Sequence, residues 1–319
     1  MGEQTKIEWC DRTWSPWHGC SKVSDGCRYC YAETLSKRNP RVLGVWGPNG
    51  TRVVNANWKR PLVWDRKADR EGRRIRVFPS LCDPFEDRPD LDEPLARFLR
   101  LIENTTNLDW LLLTKRPELI TKRIRAALAV MPERSFSRWN ELDRMYGRAF
   151  PPNVWLGVSV ENQDHAEERI PKLLEIPAET RWLSLEPLLG PIDVYPWIRR
   201  HAVNEEGECD EYCCMACRLR DNRGLLRDSA IHWVVVGGES GKDARPCNLE
   251  WIRSIVRQCK DAGVPCFVKQ LGKSPQDPGP EAFDWESEAH SIMVRHPKGG
   301  DPAEWPEDLQ VRDLPEGWF

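Results

Sequence analysis

Short continuous apolar runs alternate with stretches of helical periodicity along most of the chain. Ile75–Phe78, Trp110–Leu113, Val154–Val158, Arg181–Leu185, Trp233–Val236 and Cys266–Val268 are rich in β-branched, leucine and aromatic side chains, the composition of strands buried on both faces. A further strand is expected at Thr13–Trp17. Helices are expected at Leu95–Glu103, Pro117–Ala129, His165–Leu174 and Leu249–Asp261. In the last of these Leu249, Ile252, Ile255, Val256 and Cys259 form one stripe, and Asn248 stands where an N-cap is needed. Strand alternating with helix predicts an α/β protein with a parallel sheet and right-handed crossovers. Six or seven such units predict a full or partial (β/α) barrel, with an open doubly wound sheet as the alternative.

The strand–helix pattern occupies residues 1–272. Insertions interrupt it at about 132–152 and 195–229, and the second is cysteine-rich. The remaining 273–319, rich in Pro, Gly, Asp and Glu, is expected to be a C-terminal surface extension with short elements. No apolar run approaches the ~18 residues of a membrane helix, and Met1–Lys6 has no apolar signal core. A soluble, cytoplasmic protein is expected, with no membrane partner. Against that background, 12 cysteines in 319 residues favour metal ligation over a disulfide scaffold. A net charge of −3 excludes a globally basic nucleic-acid binder but leaves room for local basic patches. One candidate is Lys59–Arg76, with eight basic and three acidic residues and with Trp58 and Trp64 beside them. Another is Lys115–Arg125, with five basic residues; Arg134, Arg138, Arg144 and Arg148 recur in the first insertion. Basic side chains among aromatics can hold a phosphate backbone and stack bases. Trp9, Trp14, Trp17 and Trp46 flank the first cysteines and are candidates for a pocket wall.

Those first cysteines carry the most specific chemistry. Cys20, Cys27 and Cys30 lie in one loop, with Gly19 and Gly26 supplying permissive backbone and Tyr29 preceding the last thiol. Three thiolates on a 4Fe-4S cluster leave one iron open, and an open iron is where S-adenosylmethionine (SAM) binds before reductive cleavage to a 5′-deoxyadenosyl radical. The same spacing also suits a structural zinc site, with His18 as the fourth ligand of a Cys₃His set. The barrel pattern tips the balance toward iron–sulfur.

Polar residues recur where the strand candidates end, on the face where barrels build their active sites. SAM needs an acceptor for its amino group, which Glu161, Glu186 or Glu239 can provide. It needs a cation for its carboxylate, for which Lys115, Arg116 and Lys269 are candidates. Gly237 and Gly238 would let backbone approach a ligand closely. Inside the second insertion Cys209, Cys213, Cys214 and Cys217 are close enough to hold a metal, either zinc or a second iron–sulfur cluster. Cys259 and Cys266 are expected in the core, and Cys10 is either packed or a spare ligand.

Several strings, taken together, resemble a known family. They are Lys6-Ile7-Glu8-Trp9, Thr13 through Cys20, Cys27 through Glu33, Leu112 through Pro117, Trp155 through Ser159, Ser184 through Leu188, Val236 through Gly241 and Phe267 through Gly272. Over residues 5 to 272 the chain resembles a phage-associated three-cysteine-motif family described as radical-SAM-like. The resemblance implies a radical-SAM type barrel of TIM-barrel kind, with Cys20, Cys27 and Cys30 as cluster ligands. Gly237-Gly238-Glu239 resembles the motif that holds the methionine amino group. The first cysteine gap is six residues, where radical-SAM enzymes usually have three. The expected function is that of a radical-SAM enzyme modifying or repairing nucleic acid or a nucleotide, DNA repair included, served by an electron donor such as a ferredoxin or flavodoxin. The alternative is a zinc-stabilised nucleic-acid-binding protein without catalysis.

Overall fold

A computed structural model describes residues 5–131, 139, 150–199, 231–279 and 290–315. The expected strands form, and most run a residue or two further than their apolar cores. β1 is Arg12–Thr13, β2 Trp17–His18, β3 Val53–Val54, β4 Ile75–Phe78, β5 Leu108–Thr114, β6 Val154–Ser159, β7 Thr180–Leu185, β8 Trp233–Gly237, β9 Cys247–Asn248, β10 Cys266–Gln270, β11 Pro275–Asp277 and β12 His290–Ser291. The helices are α1 Tyr31–Arg38, α2 Pro40–Leu43, α3 Lys59–Glu71, α4 Asp92–Glu103, α5 Ile120–Ala129, α6 Gln163–Glu175, α7 Tyr195–Ile198 and α8 Leu249–Ala262. The single strand expected at Thr13–Trp17 is instead two short ones, β1 and β2, in different sheets.

Among the described residues the main sheet has seven strands in the order β1-β4-β5-β6-β7-β8-β10. Every pairing resolved within it is parallel. The order follows the chain without reversal. A doubly wound sheet reverses at its switch point and a βα barrel does not, so the topology is that of a partial βα barrel. The chain divides into two compact units, one from Met1–Val158 with Ile176–Thr180, the other from Ser159–Glu175 with Arg181–Pro315.

In the first unit the core contains an aromatic cluster. Trp14 sits against Trp58, Phe98 and Trp110, with ring centroids 5.1, 5.8 and 5.9 Å away. Its indole N–H donates to the Asn57 carbonyl at 3.1 Å. Trp9 packs on Phe78 at 4.6 Å. Trp9, Trp14 and Trp17 are therefore core residues, and so are Trp58 and Trp64. Neither of the last two offers an exposed face for base stacking. Arg97 lies over Trp58 at 4.2 Å and Arg60 over Trp64 at 5.5 Å, so basic side chains cover these rings. In the second unit Trp182, Trp233 and Phe267 pack in a row along adjacent strands, the first pair tilted at 5.6 Å and the second edge to face at 6.3 Å. Helix α8 begins as its sequence requires, with Asn248 Oδ1 accepting the Glu250 N–H at 2.9 Å, and ends at Gly263 with a left-handed φ of 66°. The extension returns to this unit. Val268 N–H donates to the Val311 carbonyl at 2.8 Å, and β11 pairs in parallel with β9.

Candidate functional site

The cysteine loop belongs to the first unit. β2 pairs antiparallel with β3, and the chain turns at once through Gly19, whose φ is 113°. A Cβ there would lie 2.9 Å from Arg52 Cδ and 3.1 Å from the Thr51 carbonyl oxygen, so only glycine fits. The Gly19 N–H donates to the Leu81 carbonyl at 3.0 Å, which ties the loop's first residues to the segment after β4. Cys27 ends a one-turn 3₁₀ helix, Asp25–Cys27, and Cys30 is the N-cap of α1.

Around Cys20 lies a network of buried charge. Arg116, just past β5, directs NH1 to Asp83 Oδ2 at 2.6 Å and to Cys20 Sγ at 3.7 Å. Its NH2 donates to the Ser21 carbonyl at 2.8 Å and to Ser21 Oγ at 3.2 Å. Asp83 is held by the Thr114 hydroxyl at 2.8 Å and the Phe85 N–H at 3.0 Å. Ser21 Oγ donates in turn to Glu86 Oε1 at 2.5 Å, and Glu86 pairs through both oxygens with Arg52, at 2.6 and 2.7 Å. Two carboxylates and two guanidinium groups thus cancel, as buried charges must.

Burial pushes the Cys20 thiol up to about 12, reinforced by Asp83 and opposed by Arg116. Cys30 is also raised, by burial first, although the N–H groups of Glu33 and Ala32 favour its thiolate. Cys82 lies in the same neighbourhood and is raised well above the ordinary thiol range, by burial and then by Asp83 and Cys20. Thiols held protonated in this way are poor nucleophiles at neutral pH.

His18 is buried at the start of the loop. Its Nδ1 lies 2.9 Å from the Val42 carbonyl, which can only accept, so Nδ1 carries the proton. Burial lowers its pKa and keeps the ring neutral. Nε2 is then a bare lone pair, buried and without a hydrogen-bond partner.

Cys20, Cys27 and Cys30 are all free and partly exposed, whereas Cys10, Cys247, Cys259 and Cys266 are buried like other small apolar residues. The donor chemistry therefore fits an iron–sulfur cluster. Among the described residues no three His, Cys, Asp or Glu side chains come together as a metal-ligand group, so a cluster would have to draw the loop's thiols in around itself. Cys209, Cys213, Cys214 and Cys217 lie outside the described residues, as do Arg134, Arg138, Arg144 and Arg148.

In the second unit the strand ends bring some of the expected residues together. Glu186, after β7, receives Lys269 Nζ at 2.6 Å on each carboxylate oxygen, and Gln270 Nε2 at 3.2 Å. Gln270 Nε2 also donates to the Gly238 carbonyl at 2.9 Å. Glu186 and Lys269 both remain about one-fifth exposed, so the pair can meet a ligand. Glu161 is fully buried, with Arg169 NH1 at 2.8 Å, and that same guanidinium reaches the Ser159 carbonyl at 2.7 Å. Glu239 is held by Arg245, whose Nε and NH2 lie at 2.9 and 2.7 Å and whose backbone N–H lies at 2.9 Å. The glycines before it have a packing role. A Cβ on Gly238 would come within 2.3 Å of the Leu271 carbonyl oxygen, and one on Gly237 within 3.0 Å of that of Gln270. Lys115 contributes its backbone N–H to Asp83 Oδ2 at 3.3 Å in the first unit. The Arg52–Glu86 pair escaped the sequence reading, because nothing in spacing or periodicity links residues 34 apart.

A family model described as a protein of unknown function (DUF5131) matches residues 4–300, and the chain belongs to that family. No curated protein matches the chain. A solved structure of spore photoproduct lyase complexed with dinucleoside spore photoproduct is similar at a TM-score of 0.40 and 12% identity, covering 92% of this chain and 71% of that one. No helix among the described residues is long and apolar enough to cross a membrane.

Proposed function

We propose that this protein is a radical-SAM iron–sulfur enzyme acting on nucleic acid or a nucleotide. The observation that carries the reading is the Cys20–Cys27–Cys30 loop, with three thiols free of disulfides and no fourth cysteine close downstream. A reduced 4Fe-4S cluster held there would supply the electron that cleaves SAM to methionine and a 5′-deoxyadenosyl radical. The chain's own work is to hold and position. Cys20, Cys27 and Cys30 ligate, and the Arg116–Asp83 pair secures the loop's first thiol. Glu186 and Lys269, an ion pair about one-fifth exposed, match a zwitterionic amino acid, carboxylate to ammonium and ammonium to carboxylate. Within the second unit Glu161 and Glu239, each held by an arginine, and the close-packed Gly237 and Gly238 shape the neighbouring strand ends, while Lys115, in the first unit, is a further candidate cation. For the substrate, exposed Lys59, Arg66 and Arg70 on α3 offer phosphate contacts without base stacking. A one-electron carrier of the ferredoxin or flavodoxin type completes the requirement.

One observation favours a second reading. The unpartnered Nε2 of His18, with its tautomer fixed by Val42, is what a metal-ligating histidine looks like. With the three thiols it would complete a Cys₃His zinc site in a nucleic-acid-binding protein without catalysis.

Iron, sulfide and zinc analysis of anaerobically purified protein separates the two. Iron with matching sulfide, lost together with SAM cleavage in Cys27→Ala, is the expected result. Stoichiometric zinc in a colourless sample ends the enzyme reading. A DNA-binding assay across salt concentrations tests the substrate, and absence of binding at low salt removes the nucleic-acid part.

A further inference from the structure

We propose that Arg116 is a positioning residue for Cys20, fixing the loop's first thiolate and, when the cluster is bound, raising its reduction potential. This rests on the iron–sulfur reading above. The four resolved contacts of the Arg116 guanidinium divide between an anchor and the loop. NH1 reaches Asp83 Oδ2 at 2.6 Å and Cys20 Sγ at 3.7 Å, while NH2 reaches the Ser21 carbonyl at 2.8 Å and hydroxyl at 3.2 Å. Asp83 alone would satisfy a structural ion pair. Instead the fork spans from the Asp83 carboxylate to two consecutive loop residues. Asp83 is itself braced by the Thr114 hydroxyl at the end of β5. The barrel sheet therefore orients Cys20 through one rigid, planar side chain with a fixed charge, a task for which lysine's single ammonium is poorly shaped. An N–H directed at a ligating sulfur withdraws negative charge from it, and so does a nearby cation. Both favour the reduced, more negative cluster and raise its potential relative to the same site with Asp83 left alone beside Cys20, since the Asp83 carboxylate acts in the opposite direction.

The test uses the full chain, reconstituted anaerobically, as wild type, Arg116→Lys, Arg116→Met and the charge-balanced Asp83→Asn/Arg116→Met. Two quantities are measured: the midpoint potential, by redox titration followed by electron paramagnetic resonance, and hydrogen–deuterium exchange of the peptide containing Cys20 and Ser21. The expected result is a negative shift in potential in Arg116→Met and smaller ones in Arg116→Lys and in the double variant, which also loses the opposing Asp83 charge, with exchange at least several-fold faster in all three. A folded, iron-loaded Arg116→Met with wild-type potential overturns the proposal. If Arg116→Met does not fold, Arg116→Lys decides, and wild-type potential with wild-type exchange overturns it. If the wild-type protein takes up no iron, the iron–sulfur reading fails by itself and exchange alone judges Arg116. Faster exchange in the variants then upholds the positioning role, and unchanged exchange overturns it.

Discussion

Replacing Glu86 with alanine tests whether buried charge pairs hold the cysteine loop in place. The Arg52 and Glu86 side chains are 1% and 3% exposed. They are joined at 2.6 and 2.7 Å, and Glu86 also accepts the Ser21 hydroxyl at 2.5 Å. Alanine leaves the guanidinium buried without its counter-charge and Ser21 without its acceptor. Breaking one side of a buried pair costs about 3–5 kcal/mol, a large share of the about 5–15 kcal/mol that holds a domain folded. Arg52→Met with Glu86→Leu removes both charges and should recover most of the loss. Urea unfolding followed by tryptophan fluorescence measures both variants. Acid supplies a second check with a definite sign. Burial alone would raise the Glu86 carboxyl above its ordinary 4.5, but hydrogen bonds from Arg52 and Ser21 outweigh burial and hold it lower. Its contribution is therefore complete above about pH 4.5 and is lost as pH falls through the lower folded value. The gap between wild type and Glu86→Gln should narrow on acidification. A cost below about 1 kcal/mol for Glu86→Ala, or a gap that widens in acid, refutes the reasoning.

Two further outcomes are expected elsewhere. Gly238→Ala places a methyl 2.3 Å from the Leu271 carbonyl oxygen and should destabilise by about 1–3 kcal/mol, read as a lowered Tm; an unchanged Tm means the glycine is not required by packing. Glu186→Gln should destabilise by about 1–3 kcal/mol, because it leaves the largely buried Lys269 ammonium without its counter-charge. It should also weaken SAM binding about tenfold, roughly 1.4 kcal/mol, in equilibrium dialysis. Unweakened binding takes Glu186 out of the site.

The sheet was legible because a strand buried on both faces must be apolar throughout, as Val154–Ser159 and Trp233–Gly237 are. Helix α8 was legible from its stripe and its Asn248 cap. Helix α3 was not. Its buried Pro61, Trp64 and Ala68 keep helical spacing, but the basic residues between them drew attention to charge instead. The same residues explain the misplaced stacking surface, because a tryptophan beside arginines in sequence can be core as readily as surface. At the candidate site the cysteines and the strand-end residues Arg116, Glu186 and Lys269 were visible, since a strand's C-terminal end predicts where polar side chains gather. What each of them touches was not, because partners such as Arg52 for Glu86 or Arg245 for Glu239 depend on tertiary packing.

His18 is where the iron and zinc readings part. Its ring is neutral, its Nδ1–H is committed to Val42, and its Nε2 is unpartnered. Removing the imidazole by His18→Ala deletes one hydrogen bond to a carbonyl whose own residue is half exposed, where water can replace the donor, and leaves a cavity in place of the buried ring, so the fold should lose about 2–4 kcal/mol. Metal retention then depends on ligation alone. A zinc ion bound by three thiolates and one imidazole loses a quarter of its shell and should exchange readily with a chelator. A cluster held by Cys20, Cys27 and Cys30 loses no ligand and should keep its iron, sulfide and absorption. Iron lost from folded His18→Ala would mean that the imidazole ligates, and that the iron taken to be open for SAM is closed by it.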